Sequence, residues 1–285
     1  MATKLSPLSQ TNLDRFRVEA TEIVLESDPI GIEEPLQINL VIGDVSTEFS
    51  VTMRTPGEDK ALIYGLIFNE GIIRRADDVI QFNRLSSDDG EQDNLREVVL
   101  APQISLDLPK ITRRHTTYSG CGLCGKTSIQ ALELKQSRPM KPIPVTFSTS
   151  TVQRLRSLLS EQPLFSNTGG VHVAGFVPEI EGLLDFGGAI FFEDVGRHNA
   201  LDKLIGCQLI ENDLQKNGCL LLSGRISFEL VQKAVMAGYS TIVALGAPSS
   251  LAIKTANQFD VMLMGFAKNN RFNLYTSHKQ YIEVE

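Results

Sequence analysis

Two cysteines two residues apart, Cys121 and Cys124, lie in the run Ser119-Gly120-Cys121-Gly122-Leu123-Cys124-Gly125-Lys126, the stretch best equipped for chemistry. The thiolate is the reactive form of cysteine, and nearby positive charge lowers the pKa at which it forms. Arg113, Arg114 and His115 precede the pair and Lys126 follows it. The surrounding glycines leave the backbone free to bend and the sulfurs open to a large partner. Thr127 to Leu132 is predicted to open a helix, whose positive end favours a thiolate further. Sulfur transfer, dithiol redox chemistry and half of a zinc site all use a pair of this kind. Zinc needs two more ligands, and the other cysteines, Cys207 and Cys219, sit far downstream in apolar surroundings without forming a second CxxC. That disfavours a four-thiolate zinc site. Thioredoxin-like proteins place CxxC directly after a strand, whereas Lys110 to Arg114 is basic and loop-like. Sulfur transfer is the favoured reading, and redox and metal chemistry stay open.

A second set of candidates comes from four glycine-marked polar loops, at 167–172, 193–199, 223–225 and 246–250. In open α/β sheets, ligands bind beyond the carboxyl ends of the strands. Glycine and Ser/Thr at helix starts offer backbone N–H groups to phosphate. Arg197 and Arg225 can add bidentate contacts to phosphate, beside Ser223, and Glu193 or Asp194 can accept from a guanine edge. Plainer readings stand next to these. A Gly-Gly pair marks a tight turn, and Asp194 or Ser249 can cap a helix. His172 and His198 are each expected to be hydrogen-bonded structural residues, and Cys207, Cys219, Met262 and Met264 are expected in the core.

The elements that must position these residues follow from the apolar pattern. Residues 1 to about 15 are polar and expected to be poorly ordered. Leu36, Ile38, Leu40 and Ile42 alternate, a Gly43-Asp44 turn follows, and Phe49, Val51 and Met53 alternate again, predicting a β-hairpin with one buried face. Glu58 to Asn69 has helical spacing with Gly71 as its stop, and β signals recur at Val79-Ile80 and Val98 to Leu100 around a loop at Ser86 to Gly90. From Val152 onward short apolar strands alternate with helices, predicting a layered α/β unit with a largely parallel sheet. The expected organisation is a small N-terminal α+β domain (16–112), a CxxC loop and linker (113–145), and a C-terminal three-layer α/β/α domain (146–285).

At 285 residues with 42% hydrophobic and 21% charged residues, the composition is that of a soluble globular chain with room for two modest domains. A net charge of −7 argues against broad nucleic-acid binding. Four cysteines do not make a disulfide framework, and free thiols suggest a reducing compartment. The first residues lack the apolar core of a signal peptide, and no apolar run is long enough for a membrane span. A cytoplasmic protein is expected.

Taken together, Thr55-Pro56, Asn69 to Ile73, Cys121 to Lys126, Thr168 to His172, Glu193 to Lys203, Ser223 to Lys233, Ala247 to Ala252 and Met264-Gly265-Phe266 resemble the FdhD/NarQ family of formate dehydrogenase accessory proteins. The resemblance runs over nearly the whole chain after the N-terminal tail. It implies a sulfurtransferase that accepts sulfur from a cysteine desulfurase as a persulfide on Cys121, with Cys124 as partner. The sulfur would pass to bis-molybdopterin guanine dinucleotide, bound as substrate, before that cofactor enters formate dehydrogenase. It further implies a C-terminal domain similar to the cytidine deaminase fold, a homodimer, and a cofactor-binding segment at Leu263, Met264, Gly265, Phe266, Ala267 and Lys268. Three positions depart from the family pattern: Phe192 and Lys268 replace arginines, and Gly246 replaces serine. No Pro-Cys-x-x-Cys motif accompanies His172, so zinc deaminase chemistry is not expected. A dithiol redox protein and a non-catalytic molybdenum cofactor chaperone are the competing readings.

Overall fold

The structure is a computed structural model that describes residues 9–85, 94–104, 140–214, 217–268 and 270–284. The Cys121–Cys124 pair, the helix expected after it and the loop expected at Ser86 to Gly90 lie outside the described residues.

The first element corrects an expectation. Strand β1 (Gln10–Val18) occupies part of the segment read as disordered, and pairs antiparallel with β2 (Ile23–Gly31). Its regularity is hidden in the sequence because both faces of the ribbon are satisfied by cross-strand pairing. On one face Arg15 meets Glu26 at 2.8 Å and Asp28 at 3.2 Å, and Arg17 meets Glu26 at 3.0 Å. On the other, Phe16 opposes Leu25 and Val18 opposes Ile23, with Phe16 70% and Val18 72% exposed.

The predicted hairpin is β3 (Glu34–Ile42) and β4 (Val45–Arg54), turned at Gly43 with φ +58°. With β5 (Val79–Leu85) and β6 (Leu95–Leu100) it makes a four-stranded sheet in the order β4-β3-β6-β5, with β6 parallel to β3. Leu36, Ile38 and Leu40 project from one face onto Leu62, Ile63 and Ile67 of α1 (Asp59–Asn69), which closes this core.

The second sheet has seven strands. Along its path the order is β13-β12-β11-β10-β7-β8, with β9 also paired to β7. These strands are β7 (His172–Ile180), β8 (Leu183–Leu184), β9 (Ile190–Asp194), β10 (Gly218–Leu222), β11 (Thr241–Ala244), β12 (Met262–Lys268) and β13 (Arg271–Leu274). Only β10, β11 and β12 run parallel to neighbouring partners; β7, β8, β9 and β13 pair antiparallel. The largely parallel sheet expected is thus a mixed one. Strands β7, β8 and β9 follow each other through short connections, which can join only antiparallel neighbours, whereas helices carry the chain between β10, β11 and β12.

Helices lie on both faces. On one, Val152, Leu155 and Leu159 of α2 (Thr149–Ser160) pack with Val173, Leu221, Val243, Met262 and Met264. The short α3 (Pro163–Thr168) follows. On the other face α4 (Arg197–Ile210), α5 (Phe228–Ala237) and α6 (Ser250–Gln258) cover Ala174, Leu220, Ile242 and Leu263. Helix α4 also meets α1, backbone to backbone. A Cβ added at Gly65 would lie 1.9 Å from the Asp202 carbonyl oxygen, and one at Gly206 would lie 1.8 Å from that of Ala61. The two sheets are therefore joined through a helix pair that only glycine permits at its crossing.

Candidate functional site at the strand ends

The carboxyl ends of β9, β10, β11 and β12 fall along one edge of the larger sheet. Because β7 runs the other way, its first residue, His172, arrives at the same edge opposite Asp194. Ser223, just past β10, fastens the two strands: its hydroxyl oxygen accepts the Val173 N–H at 2.9 Å, and its own N–H donates to the Val173 carbonyl at 3.0 Å.

Three glycines then allow the strand-end loops to stack. The His172 ring lies against Gly224, where a Cβ would come within 3.1 Å of Nδ1 and 3.9 Å of the Arg197 Cβ. A Cβ at Gly246 would sit 2.6 Å from the Gly224 carbonyl oxygen, and one at Gly265 would sit 3.0 Å from that of Gly246. The departure from serine at position 246 thus coincides with a contact that has no room for a side chain. Phe266, next along, holds φ at +51° while its N–H donates to the Gly246 carbonyl at 3.1 Å. A bulky residue in that region is strained, and such strain concentrates at functional sites.

Within the segment expected to bind the cofactor, Leu263, Met264 and Ala267 turn their side chains into the core. Gly265 contributes backbone at the stacked loops, Phe266 is 38% exposed, and Lys268 is exposed opposite Arg271 on β13. Arg197 and Arg225 both reach His172 electrostatically, so these expected ligand residues come together with a third that was read as structural. Arg197 opens α4, and its Nε is buried with no hydrogen-bond partner among the described residues. An orphaned buried donor costs about 1–3 kcal/mol, which favours an acceptor arriving from outside. The His172 ring likewise has no hydrogen bond among the described residues. Burial, then the Arg197 guanidinium, push its pKa below the ordinary value; Asp194 opposes them and Arg225 adds to them. His198 does behave as the sequence suggests, with Nε2 3.3 Å from the Ser227 hydroxyl and 3.7 Å from Glu229. Burial, reinforced by Lys233 and Arg197, pushes it down to about 4.

The two acids read as possible guanine acceptors are committed elsewhere. Glu193 caps α3, accepting the N–H groups of Leu164 at 3.2 Å and Phe165 at 2.6 Å; burial raises its pKa and those bonds restrain the rise. Asp194 is fully buried. It pairs with Lys203 at 2.9 Å and accepts the N–H groups of Thr55 at 3.1 Å and Gly196 at 2.8 Å. Lys203, also fully buried, donates to the carbonyls of Thr55 at 3.0 Å and Glu193 at 3.2 Å. The Val195 N–H donates to the Thr55 hydroxyl at 3.0 Å, and the Asn199 side chain donates to the Met53 carbonyl at 2.7 Å. The end of β4 thereby fixes the loop that carries Arg197. Sequence reasoning missed Lys203, Thr55 and Asn199 as a unit. Their only trace was membership of runs quoted for other reasons, because Lys203 and Thr55 stand 148 residues apart.

The chemistry on offer is therefore cationic. Arg197, Arg225 and His172 come to the strand-end edge, where the nearby Asp194 carboxylate is bound by Lys203 and backbone N–H groups, and this donor set fits phosphates. Among the described residues no group of three or more His, Cys, Asp or Glu could hold a metal ion. Burial, helped by Glu211, pushes the Cys207 thiol up to about 11, and burial raises that of Cys219 as well, so neither is a thiolate near neutrality.

Residues 32–282 match the FdhD/NarQ family. A sulfur carrier protein FdhD of Corynebacterium efficiens is 39% identical over 272 residues, covering 91% of this chain and 94% of that one. One of Mycolicibacterium paratuberculosis is 37% identical, covering 90% and 93%, and one of Sulfurisphaera tokodaii is 35% identical, covering 94% and 96%. A crystal structure described as a formate dehydrogenase accessory protein from Desulfotalea psychrophila superposes with a TM-score of 0.70 at 22% identity, covering 97% of this chain and all of that one, and so shares the fold.

Proposed function

The chain belongs to the FdhD/NarQ family, and from that premise we propose that it carries sulfur on Cys121 to a molybdenum cofactor held at the strand-end crevice. A cysteine desulfurase persulfide is the donor. The Cys121 thiolate attacks its outer sulfur, the donor's S–S bond breaks, and the donor cysteine leaves as a thiolate, so that Cys121 ends with the persulfide. The acceptor is bis-molybdopterin guanine dinucleotide, destined for formate dehydrogenase; when bound, it supplies the metal that takes the sulfur. The protein's own part is to hold it: Arg197 and Arg225 toward its phosphates, with Ser223, Gly265 and Phe266 shaping the walls. The observation that carries this reading is the buried Nε of Arg197, unpartnered among the described residues, near the His172 ring at the strand ends, in a chain whose relatives are named as sulfur carriers. The resemblance that supplies the substrate also likens the larger sheet and its helices to the cytidine deaminase fold, and expects a two-domain homodimer in the cytoplasm; sedimentation of the purified chain tests the dimer.

Incubation with a desulfurase and cysteine, followed by mass spectrometry, is expected to add one sulfur to the peptide bearing Cys121. Cys121→Ala is expected to load none while retaining the wild-type circular dichroism spectrum. Full loading of that variant, or a Cys121–Cys124 disulfide as the sole product, overturns the assignment.

A further inference from the structure

We propose that His198 is a positioning residue of the ligand site: by hydrogen-bonding Ser227 it fixes the first turn of α4, and with it Arg197, against the loop that follows β10. The inference rests on the cofactor reading above and adds the contact that keeps the two halves of that site in register.

The strand-end edge is assembled from two halves, each braced within itself. In one, the loop after β9 and the start of α4 are tied to β4 through Lys203, Asp194 and Asn199. In the other, backbone bonds knit together the loops after β10 and β11 and the bend in β12. The Leu245 N–H donates to the Leu222 carbonyl at 3.0 Å, and that of Ile226 to the Ala247 carbonyl at 3.0 Å. The Ser249 N–H donates to the Ile226 carbonyl at 2.9 Å, and that of Phe266 to the Gly246 carbonyl at 3.1 Å. Farther along the helices, Lys233 Nζ of α5 meets Asp202 of α4 at 2.6 Å. At the ligand edge itself the link is His198, whose Nε2 lies 3.3 Å from the Ser227 hydroxyl and 3.7 Å from the Glu229 carboxylate.

Ser227 shows that this link wins over a competing use of the same hydroxyl. It stands at the start of α5 with φ −90° and ψ 168°, close to Ser148 before α2 (−102°, 174°) and Ser249 before α6 (−76°, 159°). Those two serines cap their helices, accepting the N–H groups of Thr151 at 3.2 Å and Ala252 at 3.1 Å. Ser227 makes no cap bond, and its hydroxyl faces His198. A serine in capping conformation gives up a stabilising bond only where another contact holds its side chain. The ring is buried and neutral near pH 7, and the Glu229 carboxylate favours its one hydrogen on Nε2, so the ring donates to the Ser227 oxygen. His198 is the second residue of α4, so anchoring its ring sets the rotation of the turn from which Arg197 projects. A binding group works only while supporting contacts hold it to within about 0.5 Å of its productive place.

The test is calorimetric titration of the full chain with guanosine 5′-diphosphate, under conditions where circular dichroism shows each variant fully folded. His198→Leu, of similar bulk but without a donor, is expected to bind about tenfold more weakly than the wild type, and Ser227→Ala to lose about the same factor. The double variant is expected to bind no more weakly than either single one, because both changes remove one contact. His198→Gln, whose amide N–H reaches the place of Nε2, is expected to recover most of the affinity. A general loosening of the fold would instead leave the Gln and Leu variants alike and make the two single losses add. Wild-type affinity in His198→Leu and Ser227→Ala, additive losses, or no recovery with Gln overturns the inference and leaves the cofactor reading standing. No binding of the diphosphate by the wild type overturns both. If His198→Leu does not fold, Ser227→Ala decides, and an unchanged affinity there refutes the proposal.

Discussion

At the scale of single residues, the site is built from groups whose charge state is set by neighbours. His198 illustrates the sign. Its pKa is depressed from 6.5 to about 4, so between those values the unfolded chain holds a proton that the native protein refuses. Its contribution to stability is complete above pH 6.5 and is lost as the pH falls toward 4. Urea unfolding at several pH values is expected to show a shallower acid loss in His198→Gln than in the wild type; parallel curves would refute this. Gly246 gives a second case. Introducing serine there drives a Cβ to within 2.6 Å of the Gly224 carbonyl oxygen, so Gly246→Ser is expected to lower stability by about 1–3 kcal/mol and to weaken phosphate binding. The placement of Ser223, Arg197 and Arg225 at the strand-end edge was legible in the sequence because glycine-marked loops follow apolar strands there. The arrival of His172 at the same edge was not, since it depends on β7 running antiparallel to β9 and β10.

At the scale of elements, the second half of the chain was readable wherever apolar runs and helical spacing alternated. Helix α5 spans Phe228–Ala237, the bounds that its pattern suggests. Three failures have physical causes. Strand β1 interleaves apolar residues with arginines whose partners lie across the ribbon. Helix α3 has six residues beginning at Pro163, too few to display a period. Strand direction in the larger sheet depends on connection length, which apolar alternation does not encode. The crossing of α1 and α4 offers a sharp test of element packing. In a free helix Gly→Ala stabilises by about 1 kcal/mol. At Gly65 and Gly206 the new carbon would strike carbonyl oxygens at 1.9 and 1.8 Å, so overpacking wins. Each alanine variant is expected to lose about 3 kcal/mol or more in chemical denaturation, and a gain at either position would overturn the close approach.

At the scale of the molecule, the two sheets are tied by buried charge as well as by that helix contact. Lys203 and Asp194 are both fully buried, and each also bonds the backbone at Thr55. Lys203→Met leaves a carboxylate buried without its counter-ion, and is expected to cost about 3–5 kcal/mol. It is also expected to weaken ligand binding, because the loop bearing Arg197 loses its anchor on β4. A stability loss below about 1 kcal/mol would show that the pair does not brace the sheets. The mixed α/β class was legible from the sequence, but this brace, which joins residues far apart in the chain, was not. The ribbon of β1 and β2 stands in contrast: it ends where the family match begins, at residue 32, and it leans on the body near Gly31, beside Val171 and Thr168. A two-stranded ribbon with so little covering it opens far more often than the sheets do. Among the described residues, limited digestion should therefore clip the ribbon first, and the protein trimmed there should melt at nearly the temperature of the whole.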